Sequence, residues 1–165
     1  MNLKKTYTAM SIEKRAVLAS NALIRGDTDT YQKIASTVPH QTYKQRDIGF
    51  TKEISKRCDF VLAWKTEHWK TFSLYLMNQR LSIEALNSGN IEEQKELQEH
   101  VSEFMAKLIA LEAVLKTFAR DNDLNLSEML ESELLISFDK RSTFKALTDQ
   151  ERRIYNELYT TFVPS

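Results

Sequence analysis

The chain has 165 residues, which is enough for one domain with a hydrophobic core. Three glycines and two prolines argue against a loop-rich β protein, and 42% hydrophobic with 28% charged residues argues against disorder. The 23 basic and 23 acidic side chains cancel, but residues 1–80 hold 14 and 7 of them, whereas residues 81–165 hold 9 and 16. The chain therefore carries a charge dipole in spite of its zero net charge.

The first helical signals lie between residues 11 and 37. Ser11 is a good N-cap, and apolar residues follow it at helical spacing. Gly26 suits a left-handed helix stop, and either Asp27 or Thr28 can cap a second, shorter helix. The pattern predicts an N-terminal helix pair over residues 11–37.

A long helical hairpin is predicted over residues 42–121. Its first helix covers about 47–88 and ends at Gly89, and its second covers about 91–121 after the N-cap Asn90. Seven apolar residues of the second helix alternate at spacings of four and three, which is typical of bundle packing. They are Leu97, Val101, Phe104, Leu108, Leu111, Leu115 and Phe118.

The apolar residues of the first long helix cover an arc of roughly 160° at 100° per residue. So wide a surface suits a central helix that packs on two sides. We therefore expect the core of the hairpin to contain five residues of this helix against the seam of the second: Ile54, Val61, Trp69, Phe72 and Leu76.

Two further helices are predicted within residues 127–162. Ser127 can cap the first, and Thr148 with Glu151 forms a capping box for the second. The predicted fold is an all-α, single-domain helical bundle of residues 1–165, built on the antiparallel hairpin and flanked by shorter N- and C-terminal helices.

One polar cluster is predicted inside the hairpin. Counting residues away from the turn at Gly89 places Lys65 and His68 opposite positions near Glu112. A semi-buried cluster of these three could be a polar site with perturbed pKa values. The favoured interpretation is a pair that sets helix register, with the Lys65 ammonium reaching the rim.

No catalytic or metal-binding motif is recognisable. The three histidines are scattered, and Cys58 lies ten residues from His68, about 15 Å along a helix. Residues 121–127 imitate the start of a calcium loop, but the required glycine and final glutamate are missing. We expect no metal, no cofactor and no enzymatic activity, since an enzyme would need a site assembled from dispersed residues.

A basic segment at residues 40–70 offers a nucleic-acid hypothesis, because phosphates are bound by lysine and arginine. Interleaved acidic residues and a sequence pI near 6.8 weaken it. The candidate polyanion contacts are Lys44, Arg46, Lys52, Lys56 and Lys70.

The remaining function class is protein binding. We predict a non-enzymatic binding or assembly protein that acts through protein–protein contacts, as adaptors, inhibitors, structural subunits and accessory proteins of mobile elements do. Its partner is another protein or a second copy of the chain, and nucleic-acid binding is the alternative. The lone Cys58 and the lack of a signal peptide or an apolar run of ~20 residues predict a cytoplasmic protein with no membrane partner.

Overall fold

The computed structural model describes residues 3–42, 45–46, 48–125 and 143–163. The predicted all-α class is confirmed, because two long helices pack against each other as a hairpin and shorter helices flank them. In chain order the α-helices of the described residues are α1 (Leu3–Thr8), α2 (Ile12–Ile24), α3 (Thr28–Ala35), α4 (Ile48–Asn87), α5 (Ile91–Asn122) and α6 (Asp149–Phe162).

The bounds of α4 and α5 agree with the predicted 47–88 and 91–121 to within one residue. Gly89, at φ +75°, makes the stop after α4. Residues with a side chain rarely adopt this left-handed conformation, so glycine suits the position. The helix predicted to begin at Ser127 lies outside the described residues, and α6 accounts for the second C-terminal helix.

A short antiparallel β-hairpin precedes α4 and was not predicted. Strand β1 (His40–Thr42) pairs with β2 (Gln45–Arg46), so the long helix begins only after them. The predicted start of the hairpin region at residue 42 therefore falls within a strand. Strands of two or three residues are too short to show an alternating apolar pattern.

Predicted caps begin the N-terminal helices. The Ser11 hydroxyl accepts the Lys14 N–H at 3.1 Å, and Asp27 accepts the Thr30 N–H at 3.0 Å. Asp27 is therefore the cap of α3. The Thr30 hydroxyl also donates to Asp27, and these bonds lower the pKa of that carboxyl to about 2. Gly26, at φ +82°, makes the predicted left-handed stop after α2.

The capping box of α6 is also confirmed. The Thr148 hydroxyl accepts the Glu151 N–H at 3.2 Å, and the Glu151 carboxylate accepts the Thr148 N–H at 2.9 Å. Two otherwise orphaned backbone donors are satisfied in this way.

Contacts divide the chain into two compact units, and the single-domain organisation stays a prediction. The first unit contains the described residues of 1–62 and 118–132. Its core is formed by α2, α3, the segment after α3 and the start of α4: Ala16, Ala19, Ile34, Ala35, Val38 and Phe50. Phe60 of α4 also stacks on Phe118 of α5 in this unit, with ring centroids 3.6 Å apart.

The second unit contains the described residues of 63–117 and 133–165. Here the predicted seam of α5 is fully buried at Leu108, Leu111 and Leu115. The indole N–H of Trp64 donates to the Leu111 carbonyl at 2.7 Å, which joins α4 to α5 through a buried hydrogen bond.

The predicted core contribution of α4 is partly wrong. Val61 is buried, but Trp69 and Leu76 are 56% and 47% exposed. Phe60, which the predicted arc left out, is buried. At 100° per residue, the buried face of α4 is rotated by about 80° from the centre of that arc. The arc followed the large apolar residues, whereas contact with α5 uses smaller and polar ones as well.

The buried seam gives a stability prediction. Leu108→Ala should lower the free energy of unfolding by about 2–5 kcal/mol, because Leu108 is fully buried and a cavity would remain. Leu81→Ala, a matched truncation at an exposed position of α4, should cost less than about 1 kcal/mol. Urea denaturation followed by circular dichroism measures both, and equal losses would contradict the described core.

Candidate functional site

Four stacked aromatic rings, hereafter the aromatic ladder, follow one another along α4 and begin at Trp64. The His68 ring stacks on Trp64, with centroids 4.7 Å apart, and Phe72 follows at 6.2 Å. The ring of Tyr75 lies 6.5 Å beyond Phe72. These residues recur every three or four positions, so one side of the helix carries the whole ladder.

His68 is the unusual member of this ladder. Its side chain is buried, and Nδ1 has no hydrogen-bond partner within the part of the chain that the structure describes. Burial lowers the pKa of His68 from 6.5 to about 4, because desolvation penalises the imidazolium. The imidazole is therefore neutral at physiological pH and packs as an aromatic ring.

The predicted polar cluster stays a prediction. His68 and Glu112 are buried, and Lys65 is half-buried. Glu112 forms an ion pair with Lys116, one turn further along α5, at 3.3 Å. Of the three residues Lys65 is partly exposed, and Glu112 has a cationic neighbour on its own helix that the sequence interpretation did not consider.

One ion pair that the sequence interpretation missed links the two long helices. The Lys107 ammonium of α5 binds the Glu67 carboxylate of α4. The Glu67 carbonyl also accepts the Thr71 hydroxyl at 2.8 Å. Charge-assisted contacts of this kind fix the register of two helices more than they add stability.

Beyond this pair, the buried positions of α4 are occupied by small and polar residues. Thr71, Ser82 and Ala85 are buried, and the Ser82 hydroxyl accepts a hydrogen bond from the Gln98 amide of α5 at 2.6 Å. They recur at helical spacing, eleven and then three residues apart. That spacing was the signal in the sequence that could have revealed the packed face.

Large apolar side chains occupy the outer surface of the same segment. Trp69, Leu76 and Ile83 are each about half exposed and follow one another at intervals of seven residues. Seven residues are nearly two helical turns, so these side chains form one line, hereafter the α4 stripe. Other exposed apolar residues of α4 and α5 are Leu62, Met77, Leu81, Leu86 and Ile91. Leu62 is 69% exposed and continues the seven-residue spacing before Trp69, but it belongs to the first unit and is not counted in the stripe.

An open cleft lies where α6 begins beside α5. Its volume is about 360 Å³, and α6 contributes Gln150 together with the Thr148–Glu151 capping box. The floor comes from α5: Val101, Ser102, Met105, Ala106 and Ile109. The Glu151 carboxylate is already used as a cap, so the cleft presents chiefly an apolar floor.

The predicted polyanion contacts have different surroundings. Lys44 lies outside the described residues, and of Arg46 only the backbone in β2 is described. In the first unit, Lys52 and Lys56 are exposed one turn apart on α4. In the second, Lys70 is exposed on the same helix as the α4 stripe.

Arg57 illustrates the structural use of a basic residue in the first unit. It is buried, and its guanidinium binds the Glu53 carboxylate at 2.6 Å and the Asn122 carbonyl at 2.8 Å. The thiol of the neighbouring Cys58 is half-buried, and burial raises its pKa, which makes it a poor nucleophile.

Within the described ranges, no three or more His, Cys, Asp or Glu residues are grouped so that they could hold a metal ion. None of the described helices is both long and apolar enough to cross a membrane. Compared with protein-family models, with curated proteins and with solved structures, the chain gives no match.

Burial of a neutral His68 predicts a pH dependence of stability. In the unfolded chain His68 should titrate near 6.5, whereas in the fold its pKa is about 4. Between these values the unfolded chain binds more protons, so the free energy of unfolding should fall as the pH drops from 6.5 towards 4. The free energy of unfolding that His68 removes over this pH range should reach about 3 kcal/mol.

The variant His68→Phe should lose this pH-dependent part of the free energy of unfolding, because phenylalanine keeps an aromatic ring in the ladder and cannot bind a proton. His100→Gln, at an exposed position of α5, should follow the wild-type profile. Urea denaturation from pH 7 to 4 at one protein concentration measures the profiles. A His68→Phe profile parallel to wild type would show that His68 does not carry the effect.

Proposed function

We propose that this protein is a non-enzymatic, cytoplasmic binding or assembly protein that acts through protein–protein contacts on the α4 stripe. The observation that carries the proposal is the reversal of polarity along the second half of α4. Thr71 and Ser82 are buried, whereas Trp69, Leu76 and Ile83 are exposed.

Exposure of this kind is costly for a protein that acts alone. Single apolar residues on a surface are ordinary, but an aligned group that includes a tryptophan is typical of a recognition surface. Tryptophan is also enriched among the residues that dominate binding energy. The stripe is therefore suited to the apolar face of another helix, which would pack along it with seven-residue spacing.

Site-specific photo-crosslinking tests this proposal. A photoreactive residue at Leu76 should capture protein in a lysate of the organism that makes the chain, and a second copy counts as protein. The same residue at Glu99, exposed on the acidic surface of α5, is the matched control. Equal capture at both positions, or none at Leu76, would refute a binding role for the stripe.

Nucleic-acid binding is the alternative, and exposed Lys52 and Lys56 are the observation that favours it. Among the described residues, neither side chain forms a hydrogen bond or an ion pair, so both ammonium groups are available to phosphates. Exposed Asp59, one turn beyond Lys56, opposes this reading because it would repel a phosphate.

Binding to duplex and single-stranded DNA at low and moderate salt separates the two proposals. The protein-binding proposal predicts no measurable DNA binding even at low salt. Nucleic-acid binding predicts an affinity that falls steeply as salt rises, and Lys52→Glu with Lys56→Glu should abolish it. Lys95→Glu on α5 makes the same charge change outside the basic segment and should leave any binding nearly unchanged.

A further inference from the structure

We propose that the α4 stripe is covered by a second copy of this chain, packed antiparallel about a twofold axis near Leu76. This inference rests on the proposed protein-binding function and names the partner. It is carried by the spacing of the stripe, by the charges beside it and by the acidic character of α5.

The spacing of the stripe makes it complementary to itself. Trp69 and Ile83 lie seven residues on either side of Leu76. An antiparallel copy centred on Leu76 therefore places Trp69 against Ile83 of the second copy and Leu76 against its own equivalent. The largest side chain meets a smaller one, and the three residues of the stripe are covered, as an isologous contact requires. Leu62 would fall opposite Asn90 of the second copy, beyond the end of the contact.

The charges beside the stripe favour the antiparallel direction. Lys70 precedes Leu76 by six residues and Glu84 follows it by eight, which is about 9 Å and 12 Å along the axis. The two side chains lie about 40° apart around the helix, so they flank the same side of the stripe. In the antiparallel arrangement Lys70 comes beside Glu84 of the second copy, whereas in parallel copies Lys70 and Glu84 would stay about 21 Å apart along the axis and could not pair.

Glu84 can bind a second cation in addition to the one with which it already pairs. Glu84 binds Arg80 at 3.3 Å on the surface of its own helix, and both side chains are more than half exposed. A pair so well solvated is weak, and a carboxylate has two oxygens with which it can accept a second cation.

The surface of α5 disfavours the other symmetric arrangement. Exposed glutamates line the first turns of this helix at positions 92, 93, 96 and 99. Two copies that met through α5 would bring these carboxylates together, and like charges in contact are strongly unfavourable. Contact through α4 avoids this repulsion.

The size of the stripe sets the strength of the contact. The 15 residues from Trp69 to Ile83 extend about 22 Å, and a helix is about 10 Å wide. Such a contact is at the small end of specific interfaces, which favours a dimer that dissociates in the micromolar range over a permanent one.

Sedimentation of the purified full chain from roughly 1 to 200 µM tests the proposal. The wild type should shift from monomer to dimer with concentration. Leu76→Glu should stay monomeric, because it places two carboxylates together at the axis. Ile91→Glu should dimerise like the wild type, since Ile91 is 62% exposed but lies on α5, outside the proposed contact.

The direction of packing has its own test. Lys70→Glu should weaken the dimer by about tenfold, and adding Glu84→Lys should restore it, because both ion pairs are then reversed. In a Cys58→Ser background, Leu76→Cys should form a disulfide-linked dimer on oxidation and Ile91→Cys, on α5, should not. Normal circular dichroism of each variant shows that loss of dimer is not loss of fold.

A wild-type chain that stays monomeric over the whole range, or that dimerises equally well with Leu76→Glu, overturns the second-copy proposal. The proposed function fails differently. If Leu76 captures another protein by photo-crosslinking while the purified chain is monomeric, the stripe binds a foreign partner and only the present inference is lost.

Discussion

The rotation of α4 against α5 is the constraint on which the rest of the structure depends. One buried hydrogen bond, from the Trp64 indole N–H to the Leu111 carbonyl, fixes that rotation in the second unit. A bond of this kind tolerates little change, because a turned helix would leave a buried donor without a partner. Once the rotation is fixed, the helical repeat sets the direction of each later side chain. As a result His68 and Thr71 are buried and Trp69 is exposed.

As a consequence, two parts of α4 bury different kinds of side chain. Around Trp64 the buried face is aromatic, and a neutral histidine serves as one more ring. Further along, the buried face consists of Thr71, Ser82 and Ala85, small enough for α5 to approach closely, and the bulk lies outside. Large apolar side chains on the surface do not contribute the free energy of burial while the chain is alone. Association can recover that free energy, because it buries these side chains. Fold and proposed function thus follow from the same orientation.

Local chemistry made most of the fold predictable from the sequence. Caps at Ser11 and Thr148 and the left-handed Gly89 determine helix ends by contacts within a few residues, so no tertiary information was needed. The seam of α5 was equally clear, because its apolar residues are large and regular. The rotation of α4 could not be obtained in this way. Counting large apolar residues assigned Trp69 to the core, whereas packing selected small and polar side chains, whose periodicity is easily overlooked.

The central claim is that α4 presents Trp64 to α5 and Trp69 to the outside, and iodide quenching of fluorescence tests it most directly. Trp69→Phe leaves Trp64 as the sole tryptophan and keeps its bond to Leu111, whereas the wild type contains both tryptophans. In dilute solution iodide should quench the Trp69 share of the wild-type fluorescence and should hardly quench Trp69→Phe. As the concentration rises, the wild-type fluorescence should become protected, because the proposed second copy would cover Trp69. If Trp69→Phe is quenched as readily as the wild type at every concentration, the described orientation of α4 is wrong.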